Sequence, residues 1–359
     1  MSAGSSVVHE SSSTRARLSR AAGLQTGRRV ASHPLVIHYE HPRWFDRLFA
    51  ELDRRGEPYT KSLVSHHVFD PAAEAERDRH VIFNRMSPSA WRRGEGSGIG
   101  HTLAWLQSLE RAGHRVINGA RGFSHEISKA LQLSVQAGLG LPGPRSRVIH
   151  RGADAPAAAE GLRFPVVVKP NVGGSGAGIV RFDTPVDLRA AAEEGRIDPG
   201  FDHVALVQEF IPARGGHIVR VECVGGQYLY AIKVHLSGET FDLCPADICR
   251  TGDGVALGGA CAVEAPKAGL RVDAYEPPPH IAHAVERILT AMGIDVGGVE
   301  YIVDDRDGEL YFYDVNALSN FVADAPTVLG FEPHVRLVDY LIESASAQAS
   351  ARQAEVRHG

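Results

Sequence analysis

Short apolar runs and longer amphipathic stripes take turns along the first third of the chain. Leu35 to Tyr39 reads as a buried strand, and from about Pro42 to Arg55 the residues Trp44, Leu48, Phe49 and Leu52 fall on one helical stripe. Val81 to Asn84 is the next strand. About Ile99 to Ala112 then presents Leu103, Leu106 and Leu109 on one helical face and stops at Gly113, before a strand from Arg115 to Asn118. This alternation predicts a small parallel sheet with helices on its faces, an α/β (α+β) chain. A third helix is expected from about Ser124 to Ala137, ending at Gly138 to Gly140, with Lys129 near its start.

Beyond that point the pattern changes to strands joined by glycines. Phe164 to Lys169 is a strand, Pro170 to Gly178 a loop containing Gly173, Gly174, Ser175, Gly176 and Gly178, and Ile179 to Phe182 the returning strand. Val204 to Ile211 is a buried strand broken by Pro212. Gly225-Gly226 favours a tight hairpin, whose register sets Arg220 opposite Ala231 and leaves Lys233 on the same face as Arg220. Two cations facing one way need an anion, and Glu222 or Glu239 could serve as a surface partner. A final hairpin joins Gly298–Asp304 to Glu309–Asn316. If its loop is Arg306 to Gly308, Glu300 lies directly opposite Asp314, and Asn316 shares the face of Asp314.

Composition narrows the class. The chain has 359 residues and is 43% hydrophobic, enough for two or three packed subdomains without staples. Cys223, Cys244, Cys249 and Cys261 are too few and too clustered for a disulfide framework, which favours a reducing, cytoplasmic setting. Cys244 and Cys249 have no second half of a zinc pattern nearby. A net charge of −5 offers no broad basic footprint for nucleic acid, and no apolar run is long enough to span a membrane. The Ser- and Arg-rich stretch before Leu35 has no sustained apolar periodicity and reads as a disordered tail, with a transit peptide as the alternative.

The chemistry-bearing residues fall at strand ends and hairpins. Glu300 and Asp314, opposed on neighbouring strands, repel unless a divalent cation lies between them, and with Asn316 they form an oxygen-only set suited to magnesium. A solvated acidic face is the alternative. The glycine loop is not a P-loop, because its lysine precedes the glycines and the loop leads into a strand. Its bare amides can close over phosphates, with Lys169 at the base. Asn84 and Arg85 lie at the carboxyl end of a parallel strand, where ligands gather, and Arg85 could fork onto a substrate carboxylate.

In order, Lys129, the strand to Lys169 with its glycine loop, Gln208 to Ile211, Arg220, Glu300 and Asp314-Val315-Asn316 resemble the ATP-grasp superfamily. Within it the chain looks most like the RimK-like and glutathione-synthetase-like carboxylate–amine ligases, over about residues 35 to 343. The resemblance implies an ATP-grasp fold with an N-terminal Rossmann-like domain. Its divisions would be a tail (1–32), a substrate domain (33–121), a lid subdomain (122–203), a C-terminal subdomain with the magnesium site (204–345) and a second disordered tail (346–359). It further implies that Lys129 and Lys169 hold the ATP phosphates, that Gly173 to Gly178 close as a lid, and that Gln208, Glu209, Phe210 and Ile211 read adenine. Glu300, Asp314 and Asn316 would bind magnesium, with manganese as a substitute, and Arg220 with Lys233 would stabilise charge in the reaction.

The sequence departs from the family where Ile218-Val219 precedes Arg220, where Glu300 replaces the usual Asp and Asp314 the usual Glu, and where no ribose-holding acid follows the hinge. The expected activity is amide or peptide bond formation through an acyl phosphate, releasing ADP and phosphate. The partners are then ATP, a carboxylate and an amine, with a homo-oligomer compatible. A phosphotransferase and a non-catalytic nucleotide-binding protein are the rival classes.

Overall fold

The structure, a computed structural model, describes residues 35–74, 78–174, 178–236 and 271–358. The expected N-terminal tail, residues 175–177 of the glycine loop, and Cys244, Cys249 and Cys261 lie outside them.

The first sheet is parallel throughout, in the order β2-β1-β3-β4. It comprises β1 (Leu35–Tyr39), β2 (Thr60–Leu63), β3 (Val81–Arg85) and β4 (Arg115–Ile117), alternating with α1 (Asp46–Arg55), the short α2 (Pro71–Glu74) and α3 (Ser97–Arg111). α1 begins later than its apolar stripe suggests and ends at Gly56, whose left-handed φ of 66° suits glycine. Ile82 and Val116 pack with Trp105, Leu106 and Leu109 of α3. Leu35, Ile37 and Phe83 pack with Leu48, Phe49 and Leu52 of α1.

The expected third helix is two helices, α4 (Ala120–Glu126) and α5 (Lys129–Gly138). Ser128 between them is extended, and its Oγ accepts from the Leu131 N–H as the N-cap of α5. The break puts Lys129 on the first turn of α5.

The second sheet is antiparallel, β5-β8-β6-β7, built from β5 (Ser146–Ile149), β6 (Val166–Pro170), β7 (Val180–Phe182) and β8 (Ala205–Glu209), with α6 (Ala155–Ala158) and α7 (Pro185–Glu193). β8 pairs with β5 and β6, so this subdomain runs to Glu209 rather than ending at 203. Val166, Val168, Phe182 and Val207 share a core with Leu188 and Ala191 of α7. Alternation therefore turns Val167, Lys169, Arg181 and Gln208 to the other face.

The third sheet has the order β11-β10-β9-β12-β13, from β9 (His217–Val224), β10 (Gln227–His235), β11 (Val272–Tyr275), β12 (Val296–Val303) and β13 (Leu310–Asn316). α8 (Pro279–Met292) covers one face, where Val219, Val221, Val299 and Val315 meet Val285, Ile288 and Leu289. α9 (Ala325–Leu329) and α10 (Pro333–His358) complete the chain, so residues 346–358, expected as a tail, continue a helix. Among the described residues no helix is long and apolar enough to cross a membrane.

Asn118 joins the parallel sheet to the third. Its left-handed backbone (φ 53°) aims Nδ2 at the carbonyls of Val296 (2.7 Å) and Ala317 (2.9 Å), and its Oδ1 accepts the N–H groups of Asp295 (2.9 Å) and Val296 (3.0 Å). A single side chain thus fixes the end of β4 against the start of β12 and the end of β13.

His38 gives the fold a pH dependence. It is fully buried between Ser62 Oγ (3.0 Å) and Thr102 Oγ1 (3.2 Å), and burial, then His67 and His101, push its imidazole from the usual 6.5 down to about 3. Below pH 6.5 the unfolded chain takes up a proton that the folded chain refuses. Stability is therefore expected to fall as pH drops from about 6.5 toward 3, by at most about 1.4 kcal/mol per pH unit from this group. Urea unfolding at pH 7.5 and pH 5 should show a shallower difference in His38→Gln than in the unsubstituted chain.

Candidate active site

Three strands carry the central row. Arg220 of β9 pairs with Glu300 of β12, which pairs with Asp314 of β13. The expected Glu300–Asp314 register holds, by a different route. The turn is one residue longer than expected, with Asp304 N–H donating to the Glu309 carbonyl (2.8 Å) and Gly308 N–H to the Asp304 carbonyl (2.9 Å). An extra residue in β13, Tyr313, then restores the offset as a bulge. The bulge has a chemical use, since the Tyr313 hydroxyl donates to Glu300 Oε2 at 2.6 Å.

A second row, Glu222–Gly298–Asn316, lies one step away on the same face. Gly298 is required there, because a Cβ would sit 2.8 Å from the Glu222 carboxylate carbon. Arg220, 1% exposed, donates through Nε to Glu222 Oε1 (2.6 Å) and through Nη1 to Glu300 Oε1 (2.9 Å). Glu222 Oε1 also accepts from Ser319 Oγ (2.8 Å). The arginine's anion is thus a buried pair of glutamates rather than a surface salt bridge, and such a cluster is costly to break.

Lys129 reaches Asp314 from α5 as an ion pair with Oδ1, while Asn316 Nδ2 donates to Oδ2 at 3.2 Å. Burial opposes the charged form of Asp314, but Lys129 and Lys169 beside it hold the carboxyl below its ordinary range. Burial pushes Glu300 the other way, upward, with Arg220 opposing and Asp314 adding to the rise. The site thus holds one carboxylate matched by lysines and a second matched by Arg220, which Glu300 shares with Glu222.

Two carboxylates and an amide oxygen suit a hard cation. Among the described residues no group of three or more His, Cys, Asp or Glu forms a self-sufficient metal site. Three protein oxygens would leave the rest of a hard cation's shell to other oxygen ligands.

At the end of β8 the side chains are spent internally. Gln208 Nε2 donates to Ser146 Oγ (2.8 Å), and Glu209 Oε1 accepts from the Arg163 N–H (2.9 Å) and Arg145 Nη1 (3.3 Å). Phe210 donates its N–H to the Pro165 carbonyl (2.9 Å), and its own carbonyl accepts Arg306 Nη2 (3.0 Å). On the opposite side from the Phe210 bonds, the Glu209 N–H donates to the Arg145 carbonyl (2.9 Å), and strand alternation gives the Glu209 carbonyl that same side; Ile211, past the end of β8, presents the next backbone N–H but one. That acceptor and donor form a pair of the kind that can read a base.

Several expected contacts are corrected. Leu229 is a bulge in β10, so Arg220 lies opposite Ile232 and Lys233 opposite Val219. Lys233 therefore occupies the other face of the sheet, with its ammonium 4.2 Å from the centre of the Tyr275 ring. Asn84 spends its amide on the Asn118 carbonyl (3.1 Å) and the Met86 N–H (3.0 Å). Arg85 is buried rather than exposed: it lies against the Phe45 and Phe83 rings and donates through Nη2 to the Ser319 carbonyl and to Asn320 Oδ1 (2.8 Å), while its Nε and Nη1 have no hydrogen-bond partner among the described residues. Of the glycine loop, Gly173 and Gly174 are described, and a Cβ on Gly174 would lie 3.4 Å from Ser89. Gly178 returns with φ 76° against Pro170. Ser175 and Gly176 lie outside the described residues.

Residues 125–241 match the RimK-like ATP-grasp domain. The ATP-grasp ligase PsnB in complex with its minimal precursor superposes with a TM-score of 0.61 at 20% identity, covering 87% of this chain and 98% of that one. D-cycloserine synthetase DcsG gives 0.60 at 16%, covering 87% and 99%. The fold is the ATP-grasp fold. In sequence, the chain is 29% identical over 173 residues to D-alanine–D-alanine ligase of Halorhodospira halophila, covering 48% of this chain and 52% of that one. It is 30% identical over 200 residues to the enzyme of Ralstonia pickettii, covering 52% and 58%. The chain thus spans little more than half the length of these curated relatives.

Proposed function

We propose that the protein is an ATP-dependent carboxylate–amine ligase that works through an acyl phosphate. The observation that carries this reading is the single row Arg220–Glu300–Asp314 across three strands, met by Lys129 at Asp314. It brings a fixed guanidinium, two carboxylates and the Lys129 ammonium side by side, and the similarity to ligases of this fold supports the reading.

The Glu209 carbonyl and Ile211 N–H read the adenine. Lys129 and Lys169 hold the triphosphate, and the loop from Gly173 to Gly178 closes over it. Bound at Glu300, Asp314 and Asn316, magnesium would neutralise phosphate charge and polarise the γ-phosphoryl group. A substrate carboxylate oxygen attacks that phosphorus as the bond to the ADP oxygen breaks. The amine then attacks the acyl carbon, and phosphate departs with the former carboxylate oxygen. Arg220, fixed by Glu222 and Glu300, supports the negative charge that builds on the intermediate once water is excluded. Asn84 and Lys233 have no part in these steps, and Arg85 holds the Ser319–Asn320 segment through Nη2 while its Nε and Nη1 would be the donors offered to a substrate carboxylate.

Lys169→Met should keep the fold and weaken ATP binding by about 1–3 kcal/mol, the scale of a charge-assisted contact. Calorimetric titration checks it, and unchanged binding would remove the lysine and glycine loop from the nucleotide site. An assay for amide product beside phosphorylated product separates the ligase from a phosphotransferase.

A further inference from the structure

Asp304 has no exposed surface, and the ligase chemistry does not use it. It sits where three segments meet. Arg163, ahead of β6, donates Nη2 to Oδ2 at 2.8 Å, and Arg306, in the β12–β13 turn, donates Nη2 to the same oxygen at 2.7 Å. The Arg306 backbone N–H and Nε both reach Oδ1 at 2.9 Å. Arg306 then spans to the third segment, where its Nη2 donates to the Phe210 carbonyl at 3.0 Å. The same turn donates the Asp305 N–H to the Pro212 carbonyl at 2.9 Å, and Ala213 bridges to Asp304.

We propose that Arg306, held by Asp304, is a positioning residue for recognition of the adenine base. The inference rests on the nucleotide reading of the β8 edge. Arg306 takes the Phe210 carbonyl and the Pro165 carbonyl takes its N–H, so Phe210 is pinned from one side. Pinning it sets the rotation of its two neighbours, whose Glu209 carbonyl and Ile211 N–H match the 6-amino group and N1 of adenine. Arg163 extends the clamp, because its backbone N–H also donates to Glu209 Oε1. The hydrogen bonds of Arg306 go to Asp304 and to the Phe210 carbonyl, so its influence should be confined to the base.

The test measures binding of ADP, IDP and inorganic tripolyphosphate to the full chain, unsubstituted and as Arg306→Ala, by calorimetry. IDP replaces the 6-amino group by an oxygen and carries a hydrogen on N1, and so reads the Glu209 carbonyl and Ile211 N–H contacts together. The expected result is about tenfold or greater loss of ADP affinity and a fall of about fivefold or more in the ADP-to-IDP preference. Tripolyphosphate binding should not change. Arg306→Gln, which keeps one donor, should recover part of the preference and guards against a variant that fails to fold. An unaltered ADP-to-IDP ratio in a folded variant, or equal losses for all three ligands, would overturn the positioning role. Failure of the unsubstituted chain to bind any of the three would instead overturn the nucleotide reading beneath it.

Discussion

Asp314→Asn is expected to abolish magnesium-dependent ADP formation. Asp314 pairs with Glu300 across the strands and is the carboxylate that two lysines keep ionised, so its loss removes the charged oxygen most available to a cation beside a triphosphate. Considered as two opposed carboxylates alone, the hairpin would gain stability from the change. The Lys129 ion pair alters that expectation: without metal the variant should be as stable as the parent or less so, by up to about 1 kcal/mol for a partly exposed pair. Thermal unfolding without metal, paired with ADP release at saturating magnesium, checks both parts. Retained activity would reduce the hairpin to an acidic face.

Arg220→Met carries the second large effect. Removing this side chain leaves Glu222 and Glu300 buried without their cation, at a cost of about 3–5 kcal/mol in folding stability. Loss of turnover in that variant would mix catalysis with unfolding. Arg220→Lys separates them, since the charge stays in place while the two-sided guanidinium contact is lost. It should fold, bind ATP and turn over on the order of 100-fold more slowly. Near-normal turnover in Arg220→Lys, with Arg220→Met unstable, would assign Arg220 to the fold alone. Chemical denaturation and steady-state kinetics on both variants distinguish the outcomes.

The parallel sheet was legible because β1, β3 and β4 are apolar runs separated by amphipathic helices. β2, β5 and β11 were not, since they are short edge strands with mainly exposed or half-buried residues. Alternation tells which face a residue takes only while the register is unbroken. The bulge at Leu229 separated Lys233 from Arg220, whereas the bulge at Tyr313 offset a longer turn and left Glu300 opposite Asp314. Nothing in local periodicity marks either residue. The partnership of β8 with β5 and β6 is a long-range choice that the strand's own apolar run does not encode. Residues 346–358 lack an apolar stripe and so resembled a tail, although Ala, Gln, Glu and Arg favour helix when a packed segment precedes them. Glu222 was visible as a neighbour of Arg220, but its burial, and the parts of Tyr313 and Ser319, emerged only with the strands in place.

The acyl phosphate is the core of the account, and oxygen transfer tests it most directly. Given a panel of amines and a carboxylate substrate labelled with heavy oxygen, the protein should form amide, ADP and phosphate. One labelled carboxylate oxygen should appear in each phosphate released. Amide formed with unlabelled phosphate, or label retained in a stable phosphorylated acceptor, would contradict it.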